Sequence, residues 1–87
     1  MVTKKDCVDV FNAMIRGTPI SFKEKLLPIV SEYLTEIKYE NLDKILNLVV
    51  QNPQIVQKLM PNLVRYYCIK YSIYSINFNN KTILYYE

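Results

Sequence analysis

The 87 residues, 51% hydrophobic and 22% charged with a net charge of +3, describe one small globular domain and exclude a disordered chain. With no histidine and a single glycine, Gly17, the chain lacks the usual general acid–base residue and any glycine-rich phosphate loop, so a non-enzymatic protein without cofactor or metal is expected. A chain of this length buries only about 60–65% of the surface it exposes when unfolded, which makes for a thin core.

The first helix is expected over residues 3–16, with Thr3 as N-cap, Asp6 in the first turn and a buried stripe of Cys7, Val10, Phe11, Met14 and Ile15. Gly17 closes it and Pro19 prevents its continuation. Ser21 to Glu24 reads as a capping box opening a second helix over residues 21–38, which buries Phe22, Leu26, Val30, Tyr33, Leu34 and Ile37. Pro28 interrupts this pattern, so a kink or break is expected near Leu27. A third helix over residues 41–51 carries Leu42, Ile45, Leu46, Val49 and Val50. Asn52-Pro53 then starts a fourth over residues 53–68, kinked at Pro61 and losing its helical period near Cys68.

From Tyr71 the apolar period changes from 3.6 to 2, and a hairpin is expected over residues 72–86. Asn79-Asn80 serves as its two-residue turn, because asparagine tolerates positive φ. That turn sets Phe78 opposite Lys81, Ile76 opposite Ile83 and Tyr74 opposite Tyr85. The resulting apolar face is expected to pack on the helices. The fold class is therefore mainly α (α+β), four helices with a C-terminal β-hairpin.

Lys25-Leu26-Leu27-Pro28 with Tyr33 recurs as Lys58-Leu59-Met60-Pro61 with Tyr66, an echo at an offset of 33 residues. Helical arrays need about three such units, so one echo does not make a repeat protein. Glu32, Glu36 and Glu40, four residues apart, read as a solvated acidic stripe. Cys7 and Cys68 have neither disulfide nor metal spacing and read as buried free thiols of a reducing compartment. No stretch reaches the roughly 20 apolar residues of a membrane span, and Asp6, Asp9 and Asn12 stand where a signal peptide would be apolar. An intracellular protein without membrane attachment is expected.

Charge is distributed unevenly. Residues 1–43 hold six bases and seven acids, whereas residues 44–86 hold five bases and no acid. Such a half-chain favours a polyanionic partner. On the fourth helix Gln54, Gln57, Lys58, Asn62 and Arg65 share one polar sector, and these side-chain types can pair with base edges and phosphates. Lys70 and Lys81 extend the set towards the hairpin.

Tyr71, Tyr74, Tyr85 and Tyr86 form the alternative site, a surface for a protein partner. The order of elements, with a segment at Thr18-Pro19-Ile20, a turn at Gln51-Asn52-Pro53, a polar-faced helix and a terminal hairpin, resembles the winged helix-turn-helix layout. That resemblance implies a recognition helix in the major groove and a hairpin wing; the long second helix, the turn without glycine and Pro61 depart from it.

Two functions are thus expected, a small nucleic-acid-binding or regulatory protein and, alternatively, a module that binds or inhibits a partner protein through the hairpin region. Ile, Lys, Asn and Tyr make up 35 of the 87 residues, which fits an A/T-rich gene of viral or mobile-element origin. Only Lys81 is charged between Tyr71 and Tyr86, and an isolated hairpin has two open edges, so a homodimer is expected.

Overall fold

The computed structural model describes residues 1–87. It is mainly helical with a C-terminal two-stranded antiparallel hairpin. Helix α1 (Lys4–Arg16) opens on a complete capping box: Asp6 N–H donates to the Thr3 hydroxyl at 3.1 Å, and Thr3 N–H donates to the Asp6 carboxylate at 3.0 Å. Hydrogen bonds to the carboxylate from the Thr3 side chain and the Thr3 backbone N–H hold the Asp6 carboxyl below its usual range. Gly17, at φ 74°, ends the helix in the left-handed conformation that glycine adopts without strain.

Ser21 accepts from Glu24 N–H, as a capping serine should, but no reciprocal bond returns from the Glu24 side chain. Phe22–Leu26 form a π-helical turn, and helix α2 (Leu27–Glu36) follows with Pro28 in its first turn. The break expected near Leu27 is therefore a change of helix type: a proline, lacking N–H, is tolerated at the start of an α-helix. Helix α3 (Leu42–Gln51) presses only Val49 fully into the core. A 3₁₀ turn at Pro53–Ile55 leads into helix α4 (Val56–Tyr71), and Asn52 makes no side-chain cap bond. Helix α4 runs through Pro61 and, against expectation, continues past Cys68 to Tyr71.

Fifteen buried residues form one core, with Cys7, Val10 and Phe11 of α1, Ile29, Val30 and Leu34 of α2, and Val56, Leu63 and Tyr67 of α4 at its centre. Tyr67 is fully buried, its ring between Phe11 and Tyr71, and its hydroxyl donates to the Ile29 carbonyl at 2.8 Å with the Glu32 carboxylate 3.1 Å away. Burial and the Glu32 charge push its phenol far above the ordinary tyrosine range. Ile29 replaces Ile37 in the core: Ile37 follows the last turn of α2 and is exposed, as are Ile15 and Val50.

Strands β1 (Tyr74–Phe78) and β2 (Lys81–Tyr85) pair in the expected register, Tyr74 with Tyr85, Ile76 with Ile83 and Phe78 with Lys81. Asn79 and Asn80 both have positive φ, 52° and 63°, the signature of a type I′ turn. The face that packs inward is the opposite of the one expected. Ile73 and Leu84 are buried, whereas Tyr74, Ile76, Phe78, Ile83 and Tyr85 point outward. Those two residues enter the core, and the edge of β2 is clamped to α1 from far away in sequence: the Asn12 amide donates to the Leu84 carbonyl at 2.8 Å and accepts from Leu84 N–H at 2.9 Å.

Replacing Asn12 by alanine leaves both Leu84 groups without their partner, so Asn12→Ala should lower stability by about 1–3 kcal/mol in urea denaturation. The Leu84 amide should lose its protection from hydrogen exchange while the centre of α1 keeps its own. An unchanged exchange rate at Leu84 would refute the clamp.

Candidate functional site

Two surfaces present the side chains that sequence reasoning singled out. The first is the outward face of the hairpin. Ser72, in the left-handed conformation at φ 55°, ends α4 and turns the chain back, and Ile73 then enters the core. Alternation from Ile73 and Leu84 sends every second residue outward. Tyr74, Ile76, Phe78, Ile83 and Tyr85 are 38–60% exposed on that side, and Phe78 and Ile83 border an open pocket of about 230 Å³ with Asn12, Ile15 and Arg16 of α1. The Tyr74 and Tyr85 rings meet at 5.5 Å, and Lys81 stands at the turn end without an ion partner.

The second surface is the outer side of α4 and the turn before it, where Gln54, Gln57, Lys58, Asn62 and Arg65 are all exposed and no acid intervenes. The only ion pairs involve Lys5 and Lys70, so Lys58, Arg65 and Lys81 carry unpaired charge. Beside them lies an open groove of about 630 Å³ between α1 and α4, floored by Met14, Ile15, Met60, Pro61 and Val64 and flanked by Gln57 and Arg65. Both Met14 and Ile15 were expected in the buried stripe; Met14 packs against the core from this groove, whereas Ile15 is exposed in it.

Two expected site residues are structural. Lys70 reaches across to α2, where its ammonium bonds Glu36 and stands 3.8 Å from Glu32. The Glu36 hydrogen bond raises its pKa. Of the stripe read as solvated, Glu32 and Glu36 thus face α4 while Glu40 stays exposed, and Lys70 does not join the bases of the outer face. Tyr71 stacks on Tyr67 at 5.9 Å and donates its hydroxyl to the Val2 carbonyl, so its ring is packing rather than partner surface. Tyr86 is exposed beneath the Lys4 ammonium, 5.4 Å from its ring centre. The echoing tyrosines, Tyr33 and Tyr66, touch edge to face at 5.3 Å, yet Pro28 starts a helix and Pro61 lies inside one, so the echo does not repeat in structure.

Sequence reasoning missed Ile76, Phe78 and Ile83 as surface residues. Their alternation was visible, but nothing local says which side of a hairpin meets the helices. No helix is long and apolar enough to cross a membrane. Comparison with known families, curated proteins and solved structures finds no match to this chain.

Cys7 is fully buried, and burial pushes its thiol up to about 12; the thiolate, the reactive form, is disfavoured. Cys68 is half-buried and its thiol is raised for the same reason. A thiol reagent at pH 8 should therefore label Cys68 slowly and Cys7 only after unfolding, as mass spectrometry of the labelled chain would report. Labelling of Cys7 in the native chain at the rate of a free thiol would contradict its burial.

Proposed function

We propose that the protein is a non-enzymatic interaction module that binds a partner protein on the outward face of its hairpin. The observation that carries this reading is the row of Tyr74, Ile76, Phe78, Ile83 and Tyr85, large apolar side chains in one register and uncovered. Water-exposed apolar surface gathered in one place, rather than scattered, marks a contact waiting to be buried. Tyrosines add a wet hydroxyl to an apolar ring, which suits the edge of a protein interface.

In-cell crosslinking should recover a partner that then binds the purified chain directly. The Ile83→Ser, Tyr85→Ser double variant alters β2 on its outer face alone and should weaken that complex roughly tenfold or more. Equal binding by the double variant, or no protein that binds directly, would overturn the reading.

A second reading, nucleic-acid binding by α4, is favoured by the exposed amides and the unpaired Lys58 and Arg65, and by the resemblance of the element order to a winged helix. It loses Lys70 to Glu36. If it holds, retention on DNA at low salt should fall steeply as salt rises and should vanish in the Lys58→Glu, Arg65→Glu variant. Retention that ignores either change would remove it.

A further inference from the structure

The hairpin has one edge that the fold closes and one that it leaves open. In an antiparallel ladder the residues flanking a two-residue turn form a hydrogen-bonded pair, and bonded and unbonded pairs then alternate. Phe78–Lys81, Ile76–Ile83 and Tyr74–Tyr85 are therefore the bonded pairs. Ser75 and Asn77 on β1, and Thr82 and Leu84 on β2, turn their backbone groups away from the partner strand. The Leu84 bonds to Asn12 confirm this parity. Helix α1 packs against β2, whereas β1 has no neighbouring helix of comparable contact. No turn or cap bond ends on Ser75 or Asn77.

We propose that two copies of the chain pair antiparallel through their β1 edges, with the two-fold axis passing at Ile76. In that register Ser75 N–H meets the carbonyl of the partner's Asn77, and N–H of the partner's Asn77 meets the Ser75 carbonyl. The symmetry-related pair repeats this, so all four open groups of each strand are bonded. Tyr74 lies opposite the partner's Phe78, an aromatic pair on the outward face.

Other registers fail on named atoms. A one-residue slip sets an outward-pointing residue against one already bonded to β2. Centring on Ser75 calls on Ile73 N–H, which is already donated to the Cys68 carbonyl at 3.0 Å. Centring on Asn77 sets Ser75 against the partner's Asn79, which the turn holds at positive φ.

The occupant is a second copy because the edge complements itself. Tyr74 to Phe78 contains no charge to repel its twin, and the chain has no proline or bulge there to blunt the edge. Lys81 sits on the far strand, three strand spacings of about 4.8 Å from its counterpart, beyond a physiological Debye length. The product is a four-stranded sheet in the order β2–β1–β1–β2, whose two apolar faces become one. This pairing uses the edge and not the face, so it stands whether or not a partner protein covers the face.

Disulfide trapping tests the register. Facing Ile76 residues form a non-hydrogen-bonded pair with Cα atoms about 4.5 Å apart, within disulfide reach. Oxidised Ile76→Cys should become a covalent dimer, while Phe78→Cys, which faces the partner's Tyr74, and the parent chain with Cys7 and Cys68 should stay uncrosslinked. No Ile76→Cys dimer, or equal crosslinking by Phe78→Cys, overturns the register.

Sedimentation tests the edge. Ser75→Pro removes an outward N–H and no bond to β2, a substitution that edge strands tolerate, and should weaken dimerisation roughly tenfold or more. The Leu84 amide should stay protected; if the hairpin is lost, the trapping experiment decides. A parent chain that sediments as a monomer at several hundred micromolar overturns the proposal. The Ile83→Ser, Tyr85→Ser variant should still crosslink through a cysteine at position 76, which separates this edge from the partner-binding face.

Discussion

The carboxamide of Asn12 is the contact on which the outer surface depends. Its two hydrogen bonds to Leu84 reproduce what a neighbouring strand would offer, so α1 supplies the edge partner that β2 would otherwise lack. A two-stranded hairpin is marginal on its own in water, and this one is held by that amide and by Ile73 and Leu84 entering the core. Fixing Leu84 inward fixes Ile83 and Tyr85 outward, because neighbours along a strand point to opposite sides. Burial of Ile73 and Leu84 thereby decides which side of the hairpin meets solvent, and the Asn12 amide decides which edge is closed.

The contact between α2 and α4 shows why a basic half-chain does not become a basic surface. Lys70 faces Glu32 and Glu36, partly exposed, and pairs of that kind contribute little stability. The larger contribution comes from Tyr67 beside them, whose ring is buried and whose hydroxyl has the Ile29 carbonyl as acceptor. Leaving that buried hydroxyl without its acceptor would cost about 1–3 kcal/mol. The ion pairs orient the helices around a contact that packing and one hydrogen bond secure. The charge they neutralise is withdrawn from the outer side of α4, which keeps Lys58 and Arg65.

Local chemistry was legible in the sequence and remote chemistry was not. Thr3, Asp6 and Gly17 mark both ends of α1 because caps act on their own helix, and Asn79-Asn80 fixes the hairpin register because the turn conformation does. Pro28 announces a break since a missing N–H is a local fact. The seating of the hairpin depends on the core that receives Ile73 and Leu84 and on Asn12, 72 residues from Leu84, and an asparagine on a helix carries no mark of such a partner. Lys70 reads as free until α2 is placed beside it. Helix α4 outlasts its periodic signal because Tyr67 and Tyr71 are tied to Ile29 and Val2, again from outside the element. Of the expected site, Gln54, Gln57, Lys58, Asn62, Arg65, Lys81, Tyr74, Tyr85 and Tyr86 are exposed, and Lys70 and Tyr71 belong to the packing.

The outward hairpin face also couples binding to order. Sixteen of the 87 residues are buried, so little surplus stability is available to hold the terminal strands rigid. Elements with few core contacts open first, and beyond the Asn12 clamp the hairpin has Ile73 and Leu84 alone at full depth. Whatever covers Tyr74, Ile76, Phe78, Ile83 and Tyr85 buries apolar area that the free chain leaves wet, and it does so only when both strands are formed. A ligand that recognises the ordered form alone stabilises that form by mass action. The ordering cost lowers affinity, while the matched row of side chains raises specificity, because a slip of one residue would present Ser75 and Asn77 in their place. The register set by Asn79-Asn80 is therefore a property of the interface as much as of the fold.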